Sequence, residues 1–204
     1  MRIYTGTGDL GTTRLRGGRK VRKDHKLIRA LGDLDELQAV LGMARAECGP
    51  ETDLNNRLLE IERDLWQVMA VVAEAGEEEI RKEDGQSTGS SEETDADRVG
   101  KEQDSYQILQ KISELETAID EIMEGMDLTR GFLLPGESKA SSYLDFARTV
   151  TRRAERQVVA ANMGGSDVQK YLNRLSDFCW ALARNLEPQH NKSAVESKNG
   201  DSLV

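Results

Sequence analysis

Apolar residues recur four and three positions apart along much of the chain, as in Leu54, Leu58, Ile61, Leu65, Val68 and Val72, and again in Ile108, Ile112, Leu115, Ile119, Ile122 and Met126. That alternation draws one apolar stripe down a helix and is the spacing of helices packed in a bundle. It predicts helices over about 53–74 and 105–125. An earlier stripe of Leu34, Leu37, Leu41 and Ala44 predicts a helix opened by the cap-like Asp33, with Glu36 three residues on, and closed by Gly49-Pro50. Ser138 is placed to cap a fourth helix, whose buried face would carry Ala147, Val150, Ala154, Val158 and Ala161 as far as about Met163. Gly164-Gly165 breaks it, and Ser166 is placed to cap a fifth, packed through Val168, Leu172, Leu175, Phe178, Cys179 and Leu182 and stopped at Pro188. Trp66 and Met69 beside the second stripe read as core or as subunit contact. No run of alternating β-branched residues competes. The expected fold is all-α, an antiparallel five-helix bundle.

Three segments fall outside the pattern. Residues 1–32 form a Gly-, Thr- and basic-rich arm, 33–187 the bundle, and 188–204 a polar, flexible tail. Within the bundle, 75–104 loses its periodicity to Glu, Asp, Gly and Ser, and is expected to be a disordered acidic insert, because it cannot bury enough apolar surface to offset its ordering entropy. Net charge is −9. Residues 74–104 hold 12 acidic and 4 basic residues, and the other 173 positions hold 25 and 24, so the body is nearly neutral. The overall sign argues against a nucleic-acid partner. Cys48 and Cys179 are too few for a disulfide framework and point to a reduced, cytoplasmic setting. The longest apolar run, Val68 to Ala73, is too short for a membrane span.

The chemistry centres on Arg148-Thr149-Val150-Thr151-Arg152-Arg153-Ala154-Glu155-Arg156. At about 3.6 residues per turn, Arg148, Arg152 and Glu155 share a face and Arg156 continues the row. One reading is a solvated face laced with ion pairs. The other is an anion site, since Glu155 is the only acid among five charged residues and Arg presents a planar fork of donors suited to phosphate. The arm Tyr4-Thr5-Gly6-Thr7-Gly8-Asp9-Leu10-Gly11-Thr12-Thr13, with Gly17-Gly18-Arg19 and Lys23-Asp24-His25, likewise reads as a turn-rich lead-in or as a phosphate cradle. It has neither a Walker ending nor a dinucleotide fingerprint. A di-iron bundle site would need Glu-x-x-His on two helices, and the one match, Glu187-Pro188-Gln189-His190, lies in the proline-broken end. Zinc spacing and a nucleophile–histidine pair are also missing.

In order, T-G-x-G-D-x-G-T-T (Thr5 to Thr13), G-G-R with K-D-H (Gly17 to His25), D-E-L (Asp35 to Leu37), F-x-L-P-G (Phe132 to Gly136), R-T-x-x-R-R-A-E-R (Arg148 to Arg156) and Y-L-N-R-L-S-D (Tyr171 to Asp177) run through the chain. This series closely resembles the PduO-type ATP:cob(I)alamin adenosyltransferases. It covers nearly everything outside the acidic insert and the tail.

The resemblance implies transfer of the 5′-deoxyadenosyl group of ATP to cob(I)alamin, giving adenosylcobalamin and triphosphate, with Mg²⁺ accompanying the nucleotide. The alternative is a non-catalytic carrier that binds ATP or adenosylcobalamin and delivers it to a cobalamin-dependent enzyme. The resemblance further implies a homotrimer with each site between neighbours, the arm of one subunit facing the arginine helix of the next. By position, Thr5, Gly6, Thr7, Gly8, Asp9, Gly11, Thr12, Thr13 and Lys23 would hold ATP with Arg152, Arg153, Glu155, Arg156 and Asn173. Asp35 would pair with Arg148 across the interface, and Phe132 would lie under the corrin and displace its lower axial ligand. A cobalamin-dependent acceptor enzyme and a flavin-type reductant are the further partners such a role calls for; no membrane partner is expected. Several positions depart from the family pattern. Gly6 stands where a basic residue is frequent, Glu137 where a second Gly is usual, Gln38 where Asn is common and Met69 where the residue is small. The insert is also longer and more acidic.

Overall fold

Five helices and one short hairpin make up the computed structural model, which describes residues 4, 6–15, 17–83, 95–124, 126 and 134–187, with 95–104 described as backbone. Strands β1 (Thr12–Arg14) and β2 (Lys20–Arg22) pair antiparallel, with Thr12 opposite Arg22 and Arg14 opposite Lys20. Helices α1 (Lys26–Glu47), α2 (Asp53–Glu83), α3 (Asp95–Met123), α4 (Lys139–Val158) and α5 (Asp167–Asn185) follow, with a π-helical turn at Val159–Met163 closing α4. Helices α1 and α4 pack most extensively and form the centre. Helix α2 lies on α1, α5 lies on α4, and α3 lies on α5.

The expected stripes supply the core. Leu58, Ile61, Leu65, Val68 and Val72 of α2 are buried, as are Ile108, Ile112 and Leu115 of α3 and Ala147, Val150, Ala154 and Val158 of α4. Tyr171 and Phe178 of α5 are the largest fully buried side chains. Ser138 caps α4 through a reciprocal box with Ser141, and the Ser166 hydroxyl accepts the Gln169 N–H to cap α5. Trp66 is 65% exposed, so it is not core, while Met69 packs against the core.

Three helix boundaries and one element of the arm differ from the sequence reading. Helix α1 starts at Lys26, not Asp33, because His25 Nδ1 accepts the Leu27 N–H and caps it there, and because Leu27 and Ala30 extend the buried stripe backward. The carboxylates read as a cap, Asp33 and Glu36, instead reach Arg153 on α4. Helix α2 continues past Glu74 to Glu83, with Val72, Gly76 and Ile80 buried on one face. A side chain at Gly76 would strike Leu27, since its Cβ would lie 2.3 Å from Cδ1. Helix α3 begins at Asp95, so the expected disordered insert loses 75–83 and 95–104 to helix, and 84–94 lie outside the described residues. Finally, the arm holds a hairpin where no strand was expected, because strands of three residues are too short to show a period of two. No helix among the described residues is long and apolar enough to cross a membrane.

Candidate functional site

The arm folds as two successive turns running into the hairpin. The Asp9 N–H donates to the Gly6 carbonyl at 3.3 Å and the Gly11 N–H to that of Gly8 at 3.2 Å. Gly6 and Gly11 adopt φ of 68° and 77°, the left-handed region in which a side chain would be strained. The Lys23 N–H then donates to the Gly11 carbonyl at 2.9 Å, which folds the end of the hairpin back over the turns. A Cβ at Gly8 would sit 3.1 Å from Lys23 Nζ and 3.3 Å from the Thr12 carbonyl, so the lysine lies close against the glycine-rich turn. Buried among these turns, the Thr12 hydroxyl has no hydrogen-bond partner among the described residues. A buried hydroxyl left without a partner costs about 1–3 kcal/mol. The segment therefore combines close backbone approach, a cation and an unused hydroxyl, the features of an anion cradle. Thr5 lies outside the described residues.

On α4 the arginines part company. Arg153 turns toward α1, where Glu36 binds it and Asp33 Oδ2 lies 3.4 Å from Nε. Glu155 turns toward α5 and accepts a long hydrogen bond of 3.5 Å from Gln169 Nε2. Arg152 and Arg156, one turn apart, project from the exposed face between them, and neither side chain has a hydrogen-bond or ion-pair partner among the described residues. On α5, the Asn173 carbonyl oxygen accepts from Arg174 at 3.1 Å, and Arg174 is itself tied to Glu116 of α3 at 2.7 Å. The first reading of the row, a solvated face with ion pairs four apart, fits none of the three in full: Arg153 pairs across to α1, and Arg152 and Arg156 are exposed but without ion pairs among the described residues.

Arg148 is half-buried, and its Nε donates to Asp145 at 3.4 Å. Asp145 also binds Arg184, which lies 2.9 Å from Glu187. Arg184 and Glu187 side chains are 3% exposed and Asp145 7%, so this is a buried network whose charge balances once Arg148 is counted. Removing one member would leave a charge unpaired in the interior, a loss of about 3–5 kcal/mol. Burial beside this network pushes the Cys179 thiol up to about 12, opposed by Arg148 and reinforced by Asp145. Asp35 is not part of it. Asp33 and Glu36 face α4, and Asp35 lies about 200° and 100° around α1 from them, on an exposed face. Within one chain, among the described residues, Asp35 and Arg148 form no ion pair. Phe132 lies outside the described residues.

A groove of about 640 Å³ between α2 and α3 is lined by Arg57, Glu60, Asp64, Lys111 and Glu114 among others, and by none of the expected site residues. The expected residues thus fall on the arm, the outer face of α4 and one face of α5; α4 and α5 pack on each other, while the hairpin of the arm packs extensively on neither. Among the described residues no three His, Cys, Asp or Glu side chains gather to hold a metal ion.

Comparison with known proteins gives the chain a family. A family model described as cobalamin adenosyltransferase matches residues 3–186, which takes in the arm, all five helices and every expected site residue. The chain belongs to the cobalamin adenosyltransferase family. It is 40% identical to the corrinoid adenosyltransferase PduO of Salmonella typhimurium over 188 residues, covering 90% of this chain and 49% of that protein. A PduO of Citrobacter freundii is likewise covered over 49% of its length, so the chain spans about half of these relatives. The corrinoid adenosyltransferase of Bacillus subtilis is 35% identical, with 96% of this chain and 92% of that protein covered. Among solved structures, a variant of the PduO-type ATP:corrinoid adenosyltransferase of Lactobacillus reuteri, complexed with cobalamin and ATP, superposes with a TM-score of 0.67 at 30% identity, covering 90% of this chain and 92% of that one. The five-helix fold is that of the cobalamin adenosyltransferase family.

The sequence reading missed Asp145, Gln169, Asp33 and Glu36 as the side chains that engage Arg148, Glu155 and Arg153. Only Asp145 left a trace, as a carboxylate three residues before Arg148.

Proposed function

We propose that the chain transfers the 5′-deoxyadenosyl group of ATP to cob(I)alamin. The cobalt(I) electron pair forms a bond to the ribose 5′ carbon, the carbon–oxygen bond breaks, and triphosphate leaves with the electrons of that bond. The observation that carries this reading is the pair of unpartnered arginines, Arg152 and Arg156, on a helix of a cobalamin adenosyltransferase-family chain. Triphosphate gathers negative charge as it leaves, and fixed cations aimed at it are worth more in the transition state than in the ground state. A carbon-centred displacement with such a leaving group needs no general acid or base.

We assign the residues as follows. Arg152 and Arg156 meet the triphosphate, joined by Lys23 and by the backbone and hydroxyl donors of Thr5 to Thr13. Arg153, with its charge already matched by Asp33 and Glu36, has a smaller share and mainly fixes α4 against α1. Glu155 and Asn173 meet the nucleoside end. The orphaned Thr12 hydroxyl and the Lys23–Gly8 approach support the fit to a polyphosphate. Mg²⁺ enters as part of the nucleotide substrate and is held chiefly by its phosphates. The site is completed by a second subunit in a homotrimer, because Asp35 points away from the Arg148 of its own chain and is free to meet that of a neighbour. Phe132 lies under the corrin of cobalamin. The setting is the cytoplasm, where a flavin-type reductant supplies cob(I)alamin and an adenosylcobalamin-dependent enzyme takes the product.

The test is anaerobic incubation with MgATP and chemically reduced cobalamin, followed by visible absorbance. ATP-dependent loss of the cob(I)alamin spectrum is expected. A spectrum that persists with ATP present rules out the transferase and leaves the carrier.

A further inference from the structure

Glu77 lies in the stretch whose composition reads as solvated loop, yet it is a buried residue of α2, 9% exposed. Its Oε1 accepts the backbone N–H of Gly17 at 3.0 Å, across 60 positions of sequence. The other oxygen, Oε2, is 3.9 Å from Arg81 one turn on. That distance is marginal for an ion pair, so the bond to Gly17 is the tighter engagement. The fit is close on the arm side as well, because a Cβ at Gly17 would lie 2.4 Å from Oε2.

What Gly17 belongs to makes this contact matter. It sits in the link between β1 and β2, closed by hydrogen bonds of 2.9 Å from the Gly18 N–H to the Leu15 carbonyl and from the Leu15 N–H to that of Arg19. Leu15 is buried in the core, and the ladder of β1 with β2 runs from there to Thr12 and Arg22. Lys23 then bonds Gly11 and lies against Gly8. An unbroken series of short contacts therefore joins the Glu77 carboxylate to the turns that hold Thr12 and Lys23. A second tie is parallel to it: Lys26, at the root of the arm, pairs with Glu83 in the last turn of α2 at 2.8 Å. The same end of α2 meets the end of α4, where Asn162 Nδ2 lies 3.5 Å from Glu79.

We propose that Glu77 is a positioning residue for nucleotide binding, latching the hairpin of the arm to the end of α2 through the Gly17 amide. A carboxylate accepting a backbone N–H makes a charge-assisted bond, about twice as strong as a neutral one. The latch reduces the freedom the arm must surrender when it closes on the polyphosphate, which lowers the cost of binding. The inference rests on the arm being the nucleotide-binding segment, and the experiment separates the two.

Three variants of the full chain decide it: Glu77→Ala, Glu77→Gln and Gly17→Ala. Gly17→Ala puts a methyl group 2.4 Å from Oε2 and forces the carboxylate to shift, while changing no helix residue, so it carries the test if Glu77→Ala does not fold. Amide hydrogen exchange of residues 12–22 and steady-state kinetics in MgATP and in cob(I)alamin are measured together. Expected for Glu77→Ala and Gly17→Ala are at least tenfold faster hairpin exchange and a KM for ATP raised at least fivefold. The kcat and the KM for cob(I)alamin should stay within twofold. Glu77→Gln, whose amide oxygen can still accept, should recover most of the ATP affinity. Hairpin exchange unchanged in both disruptive variants overturns the latch. A loosened hairpin with KM for ATP unmoved overturns the positioning role of Glu77, while the proposed function, read from ATP-dependent turnover of the parent protein, stands or falls separately.

Discussion

Arg152 and Arg153 are neighbours in sequence with different surroundings, and the difference can be measured. Arg152 is exposed and its side chain has no partner among the described residues, so Arg152→Ala removes no hydrogen bond or ion pair among them. Stability should change by no more than about 0.5 kcal/mol, as for other plain surface substitutions. If Arg152 meets the leaving triphosphate, its loss should resemble the loss of one preorganised donor and cost at least about 2–3 kcal/mol of transition-state stabilisation. At about 1.4 kcal/mol per factor of ten, that is a fall in kcat/KM of about 30- to 150-fold. Arg153→Ala should do the reverse. It breaks the contacts with Glu36 and Asp33, in which the arginine side chain is 39% exposed and the glutamate 46%. Screening at that exposure limits the loss to about 0.2–1 kcal/mol. In a chain of this size such a loss lowers Tm by at most about 2–4 °C. The assay is the anaerobic loss of cob(I)alamin absorbance across ATP concentrations, with thermal melts followed by circular dichroism. Arg152→Ala with kcat/KM within twofold of the parent refutes the triphosphate assignment. A larger activity loss in Arg153→Ala than in Arg152→Ala would show that the paired arginine is the working one.

Four further outcomes follow from the same structure. Cys179, fully buried with its thiol pushed up to about 12, should resist alkylation in the native protein and react only on unfolding, whereas half-buried Cys48 labels first; mass spectrometry of labelled peptides checks the order. The hydrogen bond from Lys170 holds the Asp167 carboxyl below its ordinary range, against a smaller opposing effect of burial, and Ser105 adds to the lowering. A folded-state value below the unfolded one gives stability that is present above the ordinary carboxylate pKa and is lost as pH falls through the depressed one. Asp167→Asn should therefore flatten the acid limb of stability below about pH 4, by less than about 1 kcal/mol, and urea melts at pH 3 and 6 read the difference. The Tyr171 hydroxyl is fully buried without a hydrogen-bond partner among the described residues, so Tyr171→Phe should match or exceed the parent by up to about 1 kcal/mol in urea unfolding. Replacing residues 84–94 by an equally long Gly/Ser linker should leave kcat/KM for ATP within twofold, and a tenfold loss would show that the acidic sequence itself takes part.

What the sequence disclosed depended on whether one element could be read without its neighbours. The stripes of α2, α3, α4 and α5 were legible because burial on one helix face repeats at helical spacing, and Ser138 and Ser166 were legible because capping is local. The start of α1 was not, although Leu27, Ala30, Leu34 and Leu37 make one continuous stripe. Asp33 and Glu36 imitate a cap, and only the packing of α4 against α1 shows that their charges are directed at Arg153. The end of α2 was hidden twice: its stripe continues through Gly76, which has no side chain because Leu27 fills the space, and it is crossed by the acidic run Glu77-Glu78-Glu79. The site divides along the same line. The arginine row and the glycine-rich arm could be singled out from residue type and spacing. Which arginines stay unpaired, and which carboxylate grips the arm, depend on contacts between segments 60 to 117 positions apart. The surplus charge of the row thus belongs to Arg152 and Arg156. They are the two arginines of α4 whose charge has no partner among the described residues, and on that account the first to vary in any test of nucleotide binding.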